Sequence, residues 1–85
     1  MTYEIKLSPD VNTFLEKCEK QLIDRIKNKL RMLKENPFHF LEHYEGDDFY
    51  KLRIGDYRAL VEVDTSHKIV LVRHLDHRKR IYKYH

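Results

Sequence analysis

"FYKLRIGDYRALVEVD", Phe49 to Asp64, is two alternating runs around a Gly-Asp pair. Phe49–Ile54 and Tyr57–Asp64 each alternate with the period of two that marks a strand. Gly55-Asp56 fits a two-residue type II′ turn, whose first central position needs a positive φ. That loop sets a register: Ile54 meets Tyr57, Arg53 meets Arg58, Leu52 meets Ala59, and Lys51 meets Leu60. Tyr50, Leu52, Ile54, Tyr57, Ala59, Val61 and Val63 then share one face, which is the core face. Phe49, Lys51, Arg53, Arg58, Leu60 and Glu62 share the other, open face. The open face thus carries three cations and a single acid, with Arg53 directly across from Arg58. Like charges in that position are destabilising. They are tolerable on an ordinary solvated face. They are useful at an anion site, where a phosphate relieves the repulsion and Arg grips its oxygens in bidentate fashion.

Upstream, "TYEIKL" places Tyr3, Ile5 and Leu7 on one side of a further strand. Ser8-Pro9 supplies an N-cap followed by Pro at the first helical position. Val11, Phe14, Leu15 and Cys18 recur at helical spacing. After a short break, Leu22, Ile23, Ile26, Leu30 and Leu33 form the apolar stripe of a second helix, which Asn36-Pro37 stops. Phe38–Asp48 reads as a loop with one short turn. Downstream, Thr65-Ser66 turns the chain into a last strand, "HKIVLVRHL". The order is β-α-α-β-β-β with a short basic tail. We expect an α+β fold in which a helical hairpin packs on one face of a mainly antiparallel four-stranded sheet.

The 85 residues amount to a single domain, 1–85, with one modest core. Repeats and low-complexity tracts are absent from the sequence, and so is any apolar run of transmembrane length, so no membrane partner is expected. "MTYEIKLS" has no signal-peptide apolar core, and the lone Cys18 excludes an internal disulfide; both suggest the cytoplasm. Cys18 sits among apolar helical positions, so a packed thiol is expected rather than a nucleophile. A formal net charge of +3 hints at anionic partners. The tail "RHLDHRKRIYKYH", Arg73 to His85, says more. Its Lys, Arg and His are interleaved with Tyr82 and Tyr84, a composition suited equally to phosphate contacts with base stacking or to a solvated, partly frayed terminus. His39 and His43 have a helical ligand spacing, but no Cys pair or third ligand is near, so no metal site and no cofactor is expected.

"YKLRIGDYRALVEVD" followed by "VRHLDHRKRIYKY", with "YEIKLSPDV" and "KENPF" upstream, resembles the RelE/ParE toxin superfamily over nearly the whole chain. The resemblance to its RelE branch implies a type II toxin that cleaves mRNA in the ribosomal A site without a metal. It also implies a cognate RelB-like antitoxin as partner, besides the ribosome and mRNA. Carried over onto this sequence, Lys51 and Arg53 match the basic pair of the second strand, and Arg58 the phosphate-gripping Arg after the turn. Arg78 matches the late catalytic Arg, and Tyr82 the late Tyr that stacks on a base. Tail spacing varies among relatives, so Arg80 and Tyr84 are substitutes, with His77 and Lys79 as further RNA contacts. The "HLDH" of this chain departs from the Gly-His-Arg common in relatives. The ParE branch implies a different outcome, inhibition of DNA gyrase without RNA cleavage.

The chemistry asks for a group to take the 2′-hydroxyl proton, groups to hold the phosphate, and a donor for the 5′-oxygen. Arg53 cannot accept a proton, because a guanidinium stays charged. On the hairpin, Lys51 is then the only cation able to act as a base, helped by the neighbouring Arg53 and Arg58. His74 and His77 are weaker candidates for acid or base. Lys20, Arg25, Lys27, Lys29 and Arg31 give the second helix a cationic surface for rRNA phosphates, or for solubility alone.

Overall fold

A computed structural model describes residues 2–43 and 48–81. The chain runs β1 (Glu4–Leu7), α1 (Pro9–Glu16), α2 (Lys20–Met32), a 3-10 turn (Pro37–His39), β2 (Leu41–His43), β3 (Tyr50–Ile54), β4 (Tyr57–Asp64) and β5 (Ile69–His77). The sheet order is β1-β5-β4-β3-β2. β1 runs parallel to β5 and the other pairs are antiparallel. The fold is the α+β one expected, with one strand more. Leu41–His43, read as loop, pairs Leu41 with Leu52, Glu42 with Lys51, and His43 with Tyr50. Three residues are too few to show a strand period, so only the pairing with β3 makes this segment a strand.

Local chemistry sets the helix ends. Ser8 Oγ accepts from Val11 N–H at 3.3 Å, with Pro9 opening α1. The Ser8 hydroxyl also donates to the Arg73 carbonyl at 2.6 Å, tying α1 to β5. Cys18 is a packed thiol: Sγ lies 3.2 Å from the Phe14 carbonyl, and burial raises its pKa, which disfavours the nucleophilic thiolate.

One face of the sheet is covered by the helices. Val11, Leu15, Ile26, Leu30 and Leu33 bury against Leu52, Ile54, Ala59, Val61, Val70, Val72 and Leu75, with Tyr57 and Val63 partly buried beside them. This is the core face read from the hairpin. The type II′ reading also agrees with the backbone: Gly55 has φ +58°, and Asp56 is not among the positive-φ residues. A side chain at Gly55 would be strained in that conformation and would bring a Cβ to 3.3 Å from Arg25 Nη1 of α2.

The face read as open is not wholly open. Leu60 is fully buried although it lies outside the main core cluster, and Ile81 beyond β5 shares that condition. Arg58 is only 7% exposed. Sequence alternation puts Leu60 and Arg58 on the face away from the helices but does not show that they are buried there.

Candidate functional site

The hairpin register is the one its loop dictates: Lys51 opposite Leu60, Leu52 opposite Ala59, Arg53 opposite Arg58, and Ile54 opposite Tyr57. Arg53 and Arg58 are therefore cross-strand neighbours on the face away from the helices. Arg58 is held by its own turn. Its Nη1 donates to the carbonyls of Gly55 and Tyr57, both at 2.7 Å. Two carbonyl dipoles stabilise the guanidinium where solvent is largely excluded.

A bulge on β5 brings in a third element. Leu60 pairs with His74 while Val61 pairs with Val72, so β5 holds one extra residue, Arg73, at that step. The extra residue shifts the alternation of everything after it. Leu75 then faces the core, and Asp76 lies opposite Arg58. Asp76 is buried, and its Oδ1 accepts from His77 N–H at 2.7 Å and from Arg80 Nε at 3.1 Å. The turn after β5 is fixed further by Arg78 N–H to the Asp56 carbonyl at 2.8 Å, and Arg80 N–H to the His77 carbonyl at 2.8 Å. The first of these bonds ties the start of the tail to the tip of the hairpin.

The result is a cavity of about 430 Å³ lined by Glu42, Lys51, Arg53, Arg58, Arg78 and Lys79. Four of the residues assigned a catalytic role by resemblance, Lys51, Arg53, Arg58 and Arg78, meet there with Lys79. Two other tail residues do not line it. His77 pairs with Tyr57 on the helix side, rings 5.5 Å apart and edge to face, and its Nδ1 accepts from Lys79 N–H at 3.2 Å. Arg80 is engaged with Asp76. His74 points elsewhere too, with Nδ1 3.6 Å from Asp10 Oδ2 of α1. Tyr82 and Tyr84 lie outside the described residues.

Two carboxylates escaped the sequence reading. Glu42 on β2 is the only acid among the described residues that line the cavity, with Oε2 3.7 Å from Lys51 Nζ. It was hidden because its strand was read as loop. Asp76 was hidden because the bulge, which has no signature in "HKIVLVRHLDH", decides its face. Among the described residues, no three His, Cys, Asp or Glu side chains are grouped as metal ligands, and His39 and His43 belong to no such cluster.

Five basic side chains around one carboxylate, among the described residues, are a donor set chemically suited to an anion such as a phosphate or phosphodiester. Arg53, Arg58 and Arg78 offer planar forks and the two lysines offer compact charges.

Comparison with known proteins agrees with this fold. The model for the ParE toxin of the type II toxin-antitoxin system parDE matches residues 5–82. RelE4 of Methanocaldococcus jannaschii, which bears the name of a toxin, is 30% identical over 86 residues, covering 95% of this chain and 92% of that protein. The archaeal RelE in the RelE-RelB complex of Pyrococcus horikoshii superposes with a TM-score of 0.78 at 29% identity, covering 94% of this chain and 99% of that one. The toxin-antitoxin complex RelBE2 of Mycobacterium tuberculosis gives a TM-score of 0.81 at 21% identity, covering 92% and 100%, a likeness of fold. From its length-wide match and its fold, the chain belongs to the ParE toxin family of type II toxin-antitoxin systems, within the RelE/ParE superfamily.

Proposed function

We propose that this toxin is a ribosome-dependent, metal-independent endoribonuclease that cleaves mRNA in the A site by attack of a 2′-hydroxyl on the adjacent phosphate. The observation that carries this reading is the convergence of Lys51, Arg53, Arg58, Arg78 and Lys79 on one cavity. In-line attack builds negative charge on the phosphoryl oxygens, and prepositioned cations stabilise that charge more than they stabilise the ground state. Arg53, Arg58 and Arg78 clamp the phosphate. Lys51 and Lys79 neutralise charge at the attacking or departing oxygen. Tyr82, with Tyr84 as substitute, stacks on a base next to the scissile bond.

The cavity is shallow for a sequence-reading enzyme, and five cations recognise backbone rather than base edges. Orientation of the nucleotides therefore falls to the ribosome, which holds mRNA while the exposed Lys20, Arg25, Lys27 and Arg31 of α2, with the half-buried Lys29, meet rRNA phosphates. A RelB-like antitoxin is the second partner, as in the RelE-RelB complex of the Pyrococcus relative. Both partners place the protein in the cytoplasm. No helix among the described residues is long and apolar enough to cross a membrane.

The test is cleavage of ribosome-bound mRNA by purified toxin, with Lys51→Ala and Arg58→Ala alongside. Loss in both variants supports the site. Unchanged cleavage in both removes it. A second reading, inhibition of DNA gyrase, is favoured by the ParE description of the matching family. It predicts stalled supercoiling with intact mRNA in the same extract.

A further inference from the structure

We propose that Glu42 is the proton acceptor of the cleavage step and that Lys51 is its charged partner and the proton donor. This rests on the nuclease reading above and changes which residue does what. The reasoning is by elimination within the cavity. Six side chains line it: Glu42, Lys51, Arg53, Arg58, Arg78 and Lys79. The three guanidiniums have no lone pair to offer a proton. An ammonium must first lose a proton before it can take one. A carboxylate is an acceptor as it stands. Among the described residues, Glu42 is the one carboxylate that lines the cavity, and it belongs to the wall because β2 pairs it across the strand with Lys51. Its Oε2 stands 3.7 Å from Lys51 Nζ, close enough to orient either group and for a small adjustment to let a proton pass.

The step balances without a further reactant. The 2′-oxygen forms a bond to phosphorus as its proton moves to a Glu42 carboxylate oxygen. The bond from phosphorus to the 5′-oxygen breaks, and that oxygen takes a proton from the Lys51 ammonium. The products are a 2′,3′-cyclic phosphate and a 5′-hydroxyl. Glu42, now a carboxylic acid, returns its proton to the Lys51 amine, and the pair is restored. Arg53, Arg58 and Arg78 hold the phosphoryl oxygens throughout and exchange no proton.

A carboxylate beside a phosphate site repels the substrate. Binding and turnover should therefore respond in opposite directions when its charge is removed. Glu42→Gln keeps the shape and removes the charge, and the side chain is 65% exposed, so folding is not at stake. In single-turnover cleavage of ribosome-bound mRNA, Glu42→Gln is expected to slow the step by about a hundredfold or more. Binding to mRNA-programmed ribosomes should stay equal or tighten. Glu42→Asp should restore part of the rate.

A Glu42→Gln rate within about threefold of wild type overturns the assignment while leaving the nuclease intact. A wild-type protein that leaves ribosome-bound mRNA whole overturns the nuclease reading, and this inference falls with it.

Discussion

The two ends of β4 point side chains to the same sheet face and treat charge in opposite ways. Arg58 lies near the hairpin turn and Asp64 at the far end, roughly 20 Å along the strand. At the far end, a second cavity is lined by Asp48, Glu62 and Asp64 with Val63, Thr65, Ile69 and Leu71. Its acids are supplied with local partners: Arg73 Nη1 sits 3.4 Å from Glu62 Oε2, and His67 Nδ1 sits 2.8 Å from Asp64 Oδ2. At the hairpin end, among the described residues, five basic groups share the cavity with Glu42, while Asp76 accepts from His77 N–H and Arg80. One end pairs Glu62 and Asp64 with basic partners, and the other gathers cations in one place. Of those cations, Arg58 is tied into the fold by its two carbonyl bonds, whereas Arg53 is exposed beside it.

The strongest way to break this contrast is at Arg58. Arg58→Ala removes one phosphate fork and is expected to lower single-turnover cleavage by ~10²–10³-fold. It also loses the bonds to the Gly55 and Tyr57 carbonyls, so stability should fall by ~1–3 kcal/mol in urea unfolding. Arg58→Lys should recover little of either, because an ammonium cannot span both carbonyls and a phosphate. Full activity in Arg58→Lys would show that only net charge matters there.

Arg53 separates function from folding more sharply. It is exposed and faces Arg58 across the strand pair. Arg53→Ala should slow cleavage by ~10–100-fold. In contrast to Arg58→Ala, it should leave stability unchanged or raise it by up to ~1 kcal/mol, because a like-charge pair is removed. A clear loss of stability in Arg53→Ala would mean that the excess charge is already balanced within the fold. At the other end, Glu62→Gln should leave cleavage within about twofold of wild type, since an exposed ion pair contributes little and lies away from the basic cavity.

Much of this contrast is legible in the sequence, and the parts that are not share a cause. Gly55-Asp56 sets the loop length, loop length sets the register, and register puts Arg53 opposite Arg58. Each step is local, so each can be read. Ser8-Pro9 is local in the same way. Glu42, Asp76 and the burial of Leu60 depend on segments far apart in the chain. Glu42 joins the cavity only because three residues pair with β3, and Asp76 faces Arg58 only because Arg73 is bulged out of the ladder. Lys51, Arg53, Arg58 and Arg78 could thus be named from sequence, but the carboxylate that shares their cavity could not.

The smallest effect lies at the balanced end and tests whether it is balanced by the fold itself. His67 N–H donates to Asp64 Oδ1 at 3.1 Å, and the His67 ring adds a second contact at Oδ2. These bonds favour the carboxylate, so the Asp64 pKa is held below the usual aspartate range, the His67 backbone N–H being the largest cause and its ring the next. With the folded value lower than the unfolded one, the stabilisation is fully present above the unfolded value of about 3.9 and is lost as pH falls through the folded one. Urea midpoints for wild type and Asp64→Asn should therefore differ slightly and constantly from about pH 5 to 7, then converge on acidification below about pH 4. A gap that persists unchanged to pH 2 would mean that Asn loses turn geometry rather than charge. In that case the far end would be held by its turn rather than by its charges.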